Sequence, residues 1–223
     1  MEGFYMVDKW ELFNCLTKLC YENIVGPNYE ENCWHKGYEV LKDIVKSQRI
    51  SNESYGKTVE ELDVETDNLY YIEEWVNDYI DEMLFTKEYD LLLKVCDELF
   101  DLFDWPLYTG STIKLGKCRA LCYLKEVDKA DVYSKLWYKN ESENIQAGIG
   151  RINVCIFMKE YEEAYSIVLH FLDGLKEVDD EYYELLEVTS LLFGRMGKLS
   201  EQALVDKAID DLLQIQLISD DIV

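Results

Sequence analysis

A polar turn that leads into a helix occurs four times in this chain at nearly constant spacing. The four copies are TKEYD at 86–90, LKEVDKA at 124–130, MKEYEEA at 158–164 and MGKLSEQA at 196–203. The equivalent positions in these copies are Tyr89, Val127, Tyr161 and Leu199, which lie 38, 34 and 38 residues apart. A period in this range is typical of stacked helical hairpins, in which each hairpin buries its apolar face against the next one. The repetition therefore predicts a helical-repeat architecture.

The composition favours helices over strands. Of the 223 residues, 48% are hydrophobic and 13% are aromatic, which is enough to bury a sizeable core. Two prolines and eleven glycines are few for an all-β protein, which needs turn residues about every ten positions. We therefore predict an all-α fold of about ten helices without a sheet.

The first part of the chain predicts a pair of helices followed by a loop. Apolar side chains at helical spacing predict one helix over 8–25 and a second over about 29–47, so that residues 1–48 form an N-terminal pair. Between them, Gly26-Pro27-Asn28 is expected to end the first helix. In 49–67 the apolar spacing disappears and Ser, Asn, Gly and Thr accumulate, which predicts an exposed loop.

The remainder of the chain predicts four helical hairpins. We expect residues 68–217 to form these hairpins within one helical-repeat domain over 1–223. The predicted first and second helices are 68–85 with 88–103, 110–124 with 127–139, 143–157 with 161–175, and 181–195 with 200–217.

The turns resemble those of the tetratricopeptide repeat (TPR) family, in which two antiparallel helices occupy about 34 residues. In that family a large residue opens the second helix and an alanine follows three positions later. Val127 with Ala130 and Tyr161 with Ala164 match this pattern. The resemblance covers residues 68 to about 217 and implies a TPR-like α-α superhelix, right-handed and concave on the side of the first helices.

The net charge disfavours two classes of partner. The chain has 46 acidic and 22 basic residues, which gives a formal net charge of −24. A charge of this sign repels nucleic-acid phosphates and anionic lipid surfaces. We therefore expect no direct nucleic-acid binding and no membrane association.

Cysteine content and the N-terminal residues predict a cytoplasmic protein. The seven cysteines are odd in number and lie among apolar positions, which favours reduced, buried thiols over a disulfide framework. Cys118 and Cys155 are expected in the helix-packing core. The segment Met1–Asp8 lacks a basic stretch followed by an apolar run and is not expected to be a signal peptide.

No motif predicts catalysis, a metal or a cofactor. The two histidines, His35 and His170, are 135 residues apart, and the Cys33-Trp34-His35 triplet has no second half of a zinc motif. The Gly148-Ile149-Gly150 triplet lacks the strand and third glycine of a phosphate loop. We expect its small residues to let neighbouring helices approach closely, and we predict a protein that is not an enzyme.

Charge is unevenly distributed along the chain. Residues 60–104 contain sixteen acids and two bases, and 173–221 contain thirteen acids and four bases. Between them, 105–139 contain three acids and seven bases. The seven bases are Lys114, Lys117, Arg119, Lys125, Lys129, Lys135 and Lys139. In a linear array they would form a basic band between two acidic lobes; alternatively, they neutralise the neighbouring repeats by pairing between helices.

Two functional hypotheses follow. The first is a scaffold that binds a peptide or protein segment in the groove of the first helices. The groove positions implied by the family register are Asn77, Asp81, Leu84, Phe85, Leu115, Arg119, Tyr123, Ile149, Asn153, Ile156, Glu187 and Leu191. Arg119 is expected to bind a carboxylate, either of a ligand or of the chain's own Asp81.

The second hypothesis is an acidic inhibitor or nucleic-acid mimic. Its outer carboxylates, above all those of 60–104, would bind a basic protein partner.

Overall fold

The computed structural model describes residues 8–25, 32–173 and 180–220. In these ranges it contains eleven α-helices and no strand, which confirms the all-α prediction. The helices are α1 (Lys9–Val25), α2 (Cys33–Arg49), α3 (Val59–Glu65), α4 (Ile72–Phe85), α5 (Tyr89–Leu102), α6 (Ser111–Tyr123), α7 (Val127–Asn140), α8 (Ile145–Met158), α9 (Tyr161–Asp173), α10 (Asp180–Met196) and α11 (Leu199–Asp220).

The helices from α4 onward begin and end within four residues of the predicted boundaries. The predicted stop at Gly26-Pro27-Asn28 and the first residues of the second predicted helix lie outside the described residues. The same is true of the end of the predicted helix 161–175.

Backbone contacts group the chain into two compact units. Unit 1 comprises Met1–Thr86 and Asp97–Trp105, and unit 2 comprises Lys87–Cys96 and Pro106–Val223, so α5 contributes to both. The prediction of one continuous repeat domain concerns the relation between these units and stays a prediction.

Aromatic side chains form the core of unit 1. The ring of Trp75 on α4 lies 5.1 Å from the ring of Phe13 and 5.7 Å from the rings of Trp34 and Tyr79, measured between centroids. A Cβ atom at Gly37 on α2 would lie 2.8 Å from the Trp75 ring, so the close approach of this ring requires glycine. These rings hold α1, α2 and α4 together.

The segment 49–67, predicted as an exposed loop, contains the short helix α3. Val59 and Leu62 on this helix are buried, and a capping box between Thr58 and Glu61 starts it. The Asp63 carboxylate accepts hydrogen bonds from the backbone N–H groups of Ile72 at 2.6 Å and of Glu73 at 2.9 Å. The loop prediction is therefore wrong for Val59–Glu65, because two apolar residues and polar caps produce no visible periodicity.

Helix α8 occupies the middle of unit 2, where it packs against α6, α7, α9 and α10. Its two glycines allow this crowding. A Cβ atom at Gly148 would lie 2.1 Å from the Phe171 ring, and one at Gly150 would lie 2.7 Å from the Trp137 ring. The expectation that these small residues permit close helix packing is confirmed.

Each copy of the repeated turn ends a helix with a residue in the left-handed conformation. The backbone is left-handed at Lys125, Lys159 and Gly197, with φ of 64°, 65° and 73°, and Lys87 in the first copy has φ of 62°. At the turns that contain Lys125, Lys159 and Gly197, a backbone N–H donates to the carbonyl five residues earlier, as in a Schellman motif. The bonds run from Glu126 to Leu121, from Glu160 to Cys155 and from Lys198 to Phe193, each at 2.9 Å.

Candidate ligand-binding surface

Helices α6, α8 and α10, each the first helix of a predicted hairpin in unit 2, share one accessible side. Helix α8 packs between α6 and α10. The Tyr123 ring at the end of α6 meets the Phe157 ring of α8 edge-on at 5.4 Å, and the Gln146 side chain of α8 donates to Glu184 of α10 at 2.8 Å. We name this surface the first-helix face. It is formed by Thr112, Arg119 and Tyr123 of α6, by Gln146, Asn153 and Phe157 of α8, and by Glu184, Glu187 and Leu191 of α10.

Several predicted groove residues lie on this face and are accessible. Arg119 and Asn153 are half-buried, while Tyr123, Glu187 and Leu191 are exposed. Half-buried polar side chains on a packed helix are held in place by their neighbours while their polar ends stay available to a ligand.

Three other predicted groove residues belong to the core instead. Leu115, Ile149 and Ile156 are only 5%, 1% and 8% exposed, and all three pack in the hydrophobic core of unit 2. The reason is that α6 and α8 have neighbours on most sides, so only a narrow strip of each helix reaches solvent. Ile156, for example, is the sequence neighbour of the exposed Phe157 and falls into the core.

The remaining predicted groove residues lie on α4 in unit 1. Asn77 and Leu84 are half-buried there, whereas Asp81 and Phe85 are exposed. Their participation in the first-helix face would join the two units and stays a prediction. A pairing of Asp81 with Arg119 would likewise join the two units and stays a prediction.

Phe157 is a member of the face that the sequence analysis missed. It occupies the position two residues before a left-handed lysine, as do Phe85 and Tyr123 in their own copies of the turn. Aligning the three copies of the turn on this position identifies Phe157 from the sequence alone. The predicted residue, Ile156, is its buried neighbour.

The aromatic part of the face extends to the start of α5. The rings of Tyr89 and Tyr123 stack with centroids 4.4 Å apart and planes inclined by 8°. Tyr123 is 50% exposed and Phe157 is 45% exposed. Aromatic side chains that remain this accessible can anchor a ligand by burying area at little cost in side-chain entropy.

The basic residues of 105–139 divide into paired and unpaired groups. Ion pairs join Lys114 to Glu141 at 2.6 Å, Lys129 to Glu126 at 2.5 Å and Lys135 to Asp131 at 2.9 Å. The ammonium group of Lys117 lies 4.9 Å from the centre of the Tyr133 ring. Within the described ranges, Arg119, Lys125 and Lys139 have no acidic partner. Internal pairing therefore accounts for part of the basic stretch and leaves Arg119 available.

Arg151 is fully buried in unit 2 and has a structural role. Its guanidinium donates to Asp131 at 2.7 Å and to Glu163 at 2.8 Å, and Glu160 lies 3.5 Å away. Burial acts to raise the pKa of Asp131, but hydrogen bonds from Lys135 and Arg151 outweigh it and hold that pKa below its ordinary value.

Two of these carboxylates, Glu160 and Glu163, form with the Cys155 thiol the one group of potential metal ligands among the described residues. The ligand atoms of Cys155, Glu160 and Glu163 lie within 4.8 Å of one another. Arg151 already supplies the positive charge that these carboxylates need, so a cation there would have to compete with the guanidinium. We therefore assign this group to helix packing.

The buried cysteines also belong to the core. Cys118 and Cys155 are fully buried, which confirms the core position predicted for both. Burial raises the pKa of Cys122 to about 11 and that of Cys155 to about 12, so both remain neutral thiols at physiological pH. Neither has the lowered pKa of a nucleophile.

No protein-family model, curated protein or solved structure matches this chain. Within the described ranges, no helix has both the length and the apolar character needed to cross a membrane.

Proposed function

We propose that the chain is a non-enzymatic scaffold that binds a peptide or protein segment on the first-helix face of a TPR-like array. One observation carries the proposal: α6, α8 and α10 present a shared face on which a guanidinium, an amide and two aromatic rings stay accessible above a dense core. Arg119, Asn153, Tyr123 and Phe157 supply these groups.

The chemistry of the face suits an extended peptide. A guanidinium binds a carboxylate through two parallel hydrogen bonds, and an amide can both donate to and accept from a peptide backbone. Packed helices lie about 8–10 Å apart, so a ligand that reaches all three helices must span about 20 Å. An extended segment of about six residues has this length.

The absence of enzymatic activity is part of the proposal. The first-helix face carries neither His nor Cys, the side chains that most often supply a base or a nucleophile at neutral pH. A cytoplasmic location is proposed as well, because all seven cysteines are free.

Site-specific photo-crosslinking tests the proposed surface. Benzoylphenylalanine would replace Tyr123 on the first-helix face, Val132 on the exposed side of α7, or Val64 beside the acidic residues of α3, all of them exposed positions. Each variant would be irradiated in extract of the native cell. We expect one discrete crosslinked protein from position 123 and none from position 132. Crosslinks of equal yield from 123 and 132 would contradict the assignment of the face.

A second candidate function is the acidic inhibitor. In unit 1 many carboxylates of the segment 60–104 face solvent. They include Glu60, Glu61, Glu65, Glu73, Glu74, Asp101 and Asp104. This candidate predicts crosslinking from position 64, and binding that falls steeply between low and moderate salt because exposed charges are screened. Scaffold binding through apolar anchors predicts a shallow salt dependence.

A further inference from the structure

Helices α1 and α2 of unit 1 pack as an antiparallel pair. Lys9 at the start of α1 forms an ion pair with Asp43 in the second half of α2, at 2.8 Å. At the other end of the pair, the ring of Tyr21 near the end of α1 meets the ring of Trp34 at the start of α2 edge-on, with centroids 5.6 Å apart. These two contacts fix which residues of one helix face which residues of the other.

A cysteine stands directly before each of the two aromatic residues. Cys20 precedes Tyr21 and Cys33 precedes Trp34, and the two cysteines are 0% and 2% exposed. Both thiols therefore lie on the buried sides of their helices, at the level of the contact between Tyr21 and Trp34. They lie within hydrogen-bonding distance of each other, and both are free.

The surroundings of Cys20 keep its thiol protonated. Burial raises the pKa of Cys20 above its ordinary value, and the hydrogen bond with Cys33 raises this pKa further. The indole N–H of Trp75 acts in the opposite direction, and it has no oxygen or nitrogen acceptor among the described residues. Because a neutral, buried thiol reacts slowly, the pair reacts only when α1 opens locally from α2.

The position of the two cysteines on facing helices suits a disulfide. A disulfide needs its two Cβ atoms about 3.5–4.5 Å apart. Cys118 and Cys122 are also buried, but they lie one turn apart on α6, where Cβ atoms are separated by about 5–6 Å. Burial alone therefore does not make a cysteine pair suitable, whereas side chains that meet between two helices can reach this distance.

We propose that Cys20 and Cys33 form an oxidation site, at which a disulfide links α1 to α2 when small disulfides accumulate and is reduced again when thiols prevail. The 13 residues between the two positions along the chain would then be closed into a covalent loop. The inference is independent of the proposed function, because the first-helix face belongs to unit 2 and the two cysteines belong to unit 1.

The oxidant is a small-molecule disulfide such as oxidised glutathione. The thiolate of one cysteine attacks a sulfur of this disulfide, forms a mixed disulfide and expels a small thiolate, which takes up the proton that the cysteine lost. The other cysteine loses its proton and attacks the protein sulfur of the mixed disulfide. This step forms the bond between Cys20 and Cys33 and expels the second small thiol. The protein thus loses two protons and two electrons, and the small disulfide gains them.

Refolding in a glutathione buffer tests the proposal. The chain would be diluted from urea into a mixture of reduced and oxidised glutathione, so that burial does not limit access, and brought to equilibrium. Free thiols would then be alkylated and the peptides mapped by mass spectrometry. We expect the disulfide between Cys20 and Cys33 in at least tenfold excess over any other pair, and a mixed disulfide with glutathione at the exposed Cys15. A disulfide between Cys118 and Cys122 in equal yield, or no bond between Cys20 and Cys33, would overturn the proposal.

Two alanine variants separate this pair from the other buried thiols. Cys33→Ala should leave Cys20 without an intramolecular disulfide. Cys118→Ala, which also removes one buried thiol, is the matched control and should form the bond in the yield of the wild type. Helix content would be compared by circular dichroism. If Cys20 bonds to another cysteine of the folded Cys33→Ala variant in the yield of the wild type, the proposed pairing is wrong.

The oxidised chain should hold α1 more firmly. Closing the loop removes conformational freedom from the unfolded chain, so the melting temperature should rise by several degrees on oxidation and return on treatment with dithiothreitol. Backbone amides of α1 should exchange with deuterium more slowly in the oxidised chain, while those of α8 in unit 2 should exchange at unchanged rates. A melting temperature that falls on oxidation would show that the bond distorts the packing of α1 on α2 and would overturn the proposal.

Discussion

At the scale of single residues, Arg151 shows how unit 2 tolerates a buried charge. Its guanidinium is surrounded by carboxylates from two neighbouring helices and the turn before α9, so the charge is hydrogen-bonded where water cannot reach it. Removing one member of a buried ion pair is costly because the other members keep their charge without a partner.

We therefore expect Arg151→Met to lower the free energy of unfolding by about 3 kcal/mol at pH 7. Asp131 has a pKa below its ordinary 3.8 in the folded chain, so its stabilising contribution is present above that pH and is lost as the pH falls through the folded pKa. The difference between wild type and variant should accordingly shrink at pH 3.

Urea unfolding at both pH values measures this difference. Lys135→Met, which removes the exposed partner of the same Asp131, is the matched control and should cost less than about 1 kcal/mol. An equal cost of Arg151→Met at pH 7 and pH 3 would show that lost packing, not charge pairing, explains the effect.

At the scale of elements, the sequence predicted every helix of the described ranges except α3. Helices α4 to α11 were predictable because each turn repeats a helix-ending residue and a helix-starting residue at known spacing. Helix α3 was not, because its burial rests on Val59 and Leu62 alone and its position depends on the Asp63 carboxylate. Hydrogen bonds of this kind depend on geometry that no periodicity reveals.

Asp63→Ala should destabilise unit 1 through the start of α4. The substitution removes the acceptor for two backbone N–H groups, which costs about 1–2 kcal/mol for a helix cap. The backbone amides of Ile72 and Glu73 should then exchange with deuterium faster. The control is Glu60→Ala, which removes an exposed carboxylate from the same helix and should leave both exchange rates unchanged. Unchanged exchange in Asp63→Ala would contradict the capping role.

At the scale of the whole molecule, the candidate surface was only partly predictable. The family register assigned Arg119, Tyr123 and Asn153 to the groove, and all three lie at accessible positions. Ile156 was assigned in place of Phe157 because sequence spacing fixes a helical face only to within about one residue. In a helix packed on most sides, an error of one residue moves a predicted surface position into the core.

We propose that the first-helix face binds the partner, and Arg119→Ala tests this proposal most directly. Arg119 has no acidic partner within the described ranges, so the variant should melt within a degree or so of the wild type. The partner identified by crosslinking should bind about 2 kcal/mol more weakly, the range for a lost charged hydrogen bond. Lys139→Ala is the matched control and should affect neither quantity. Isothermal titration beside thermal melts measures both, and an Arg119→Ala variant that melts normally and binds with unchanged affinity would contradict the account.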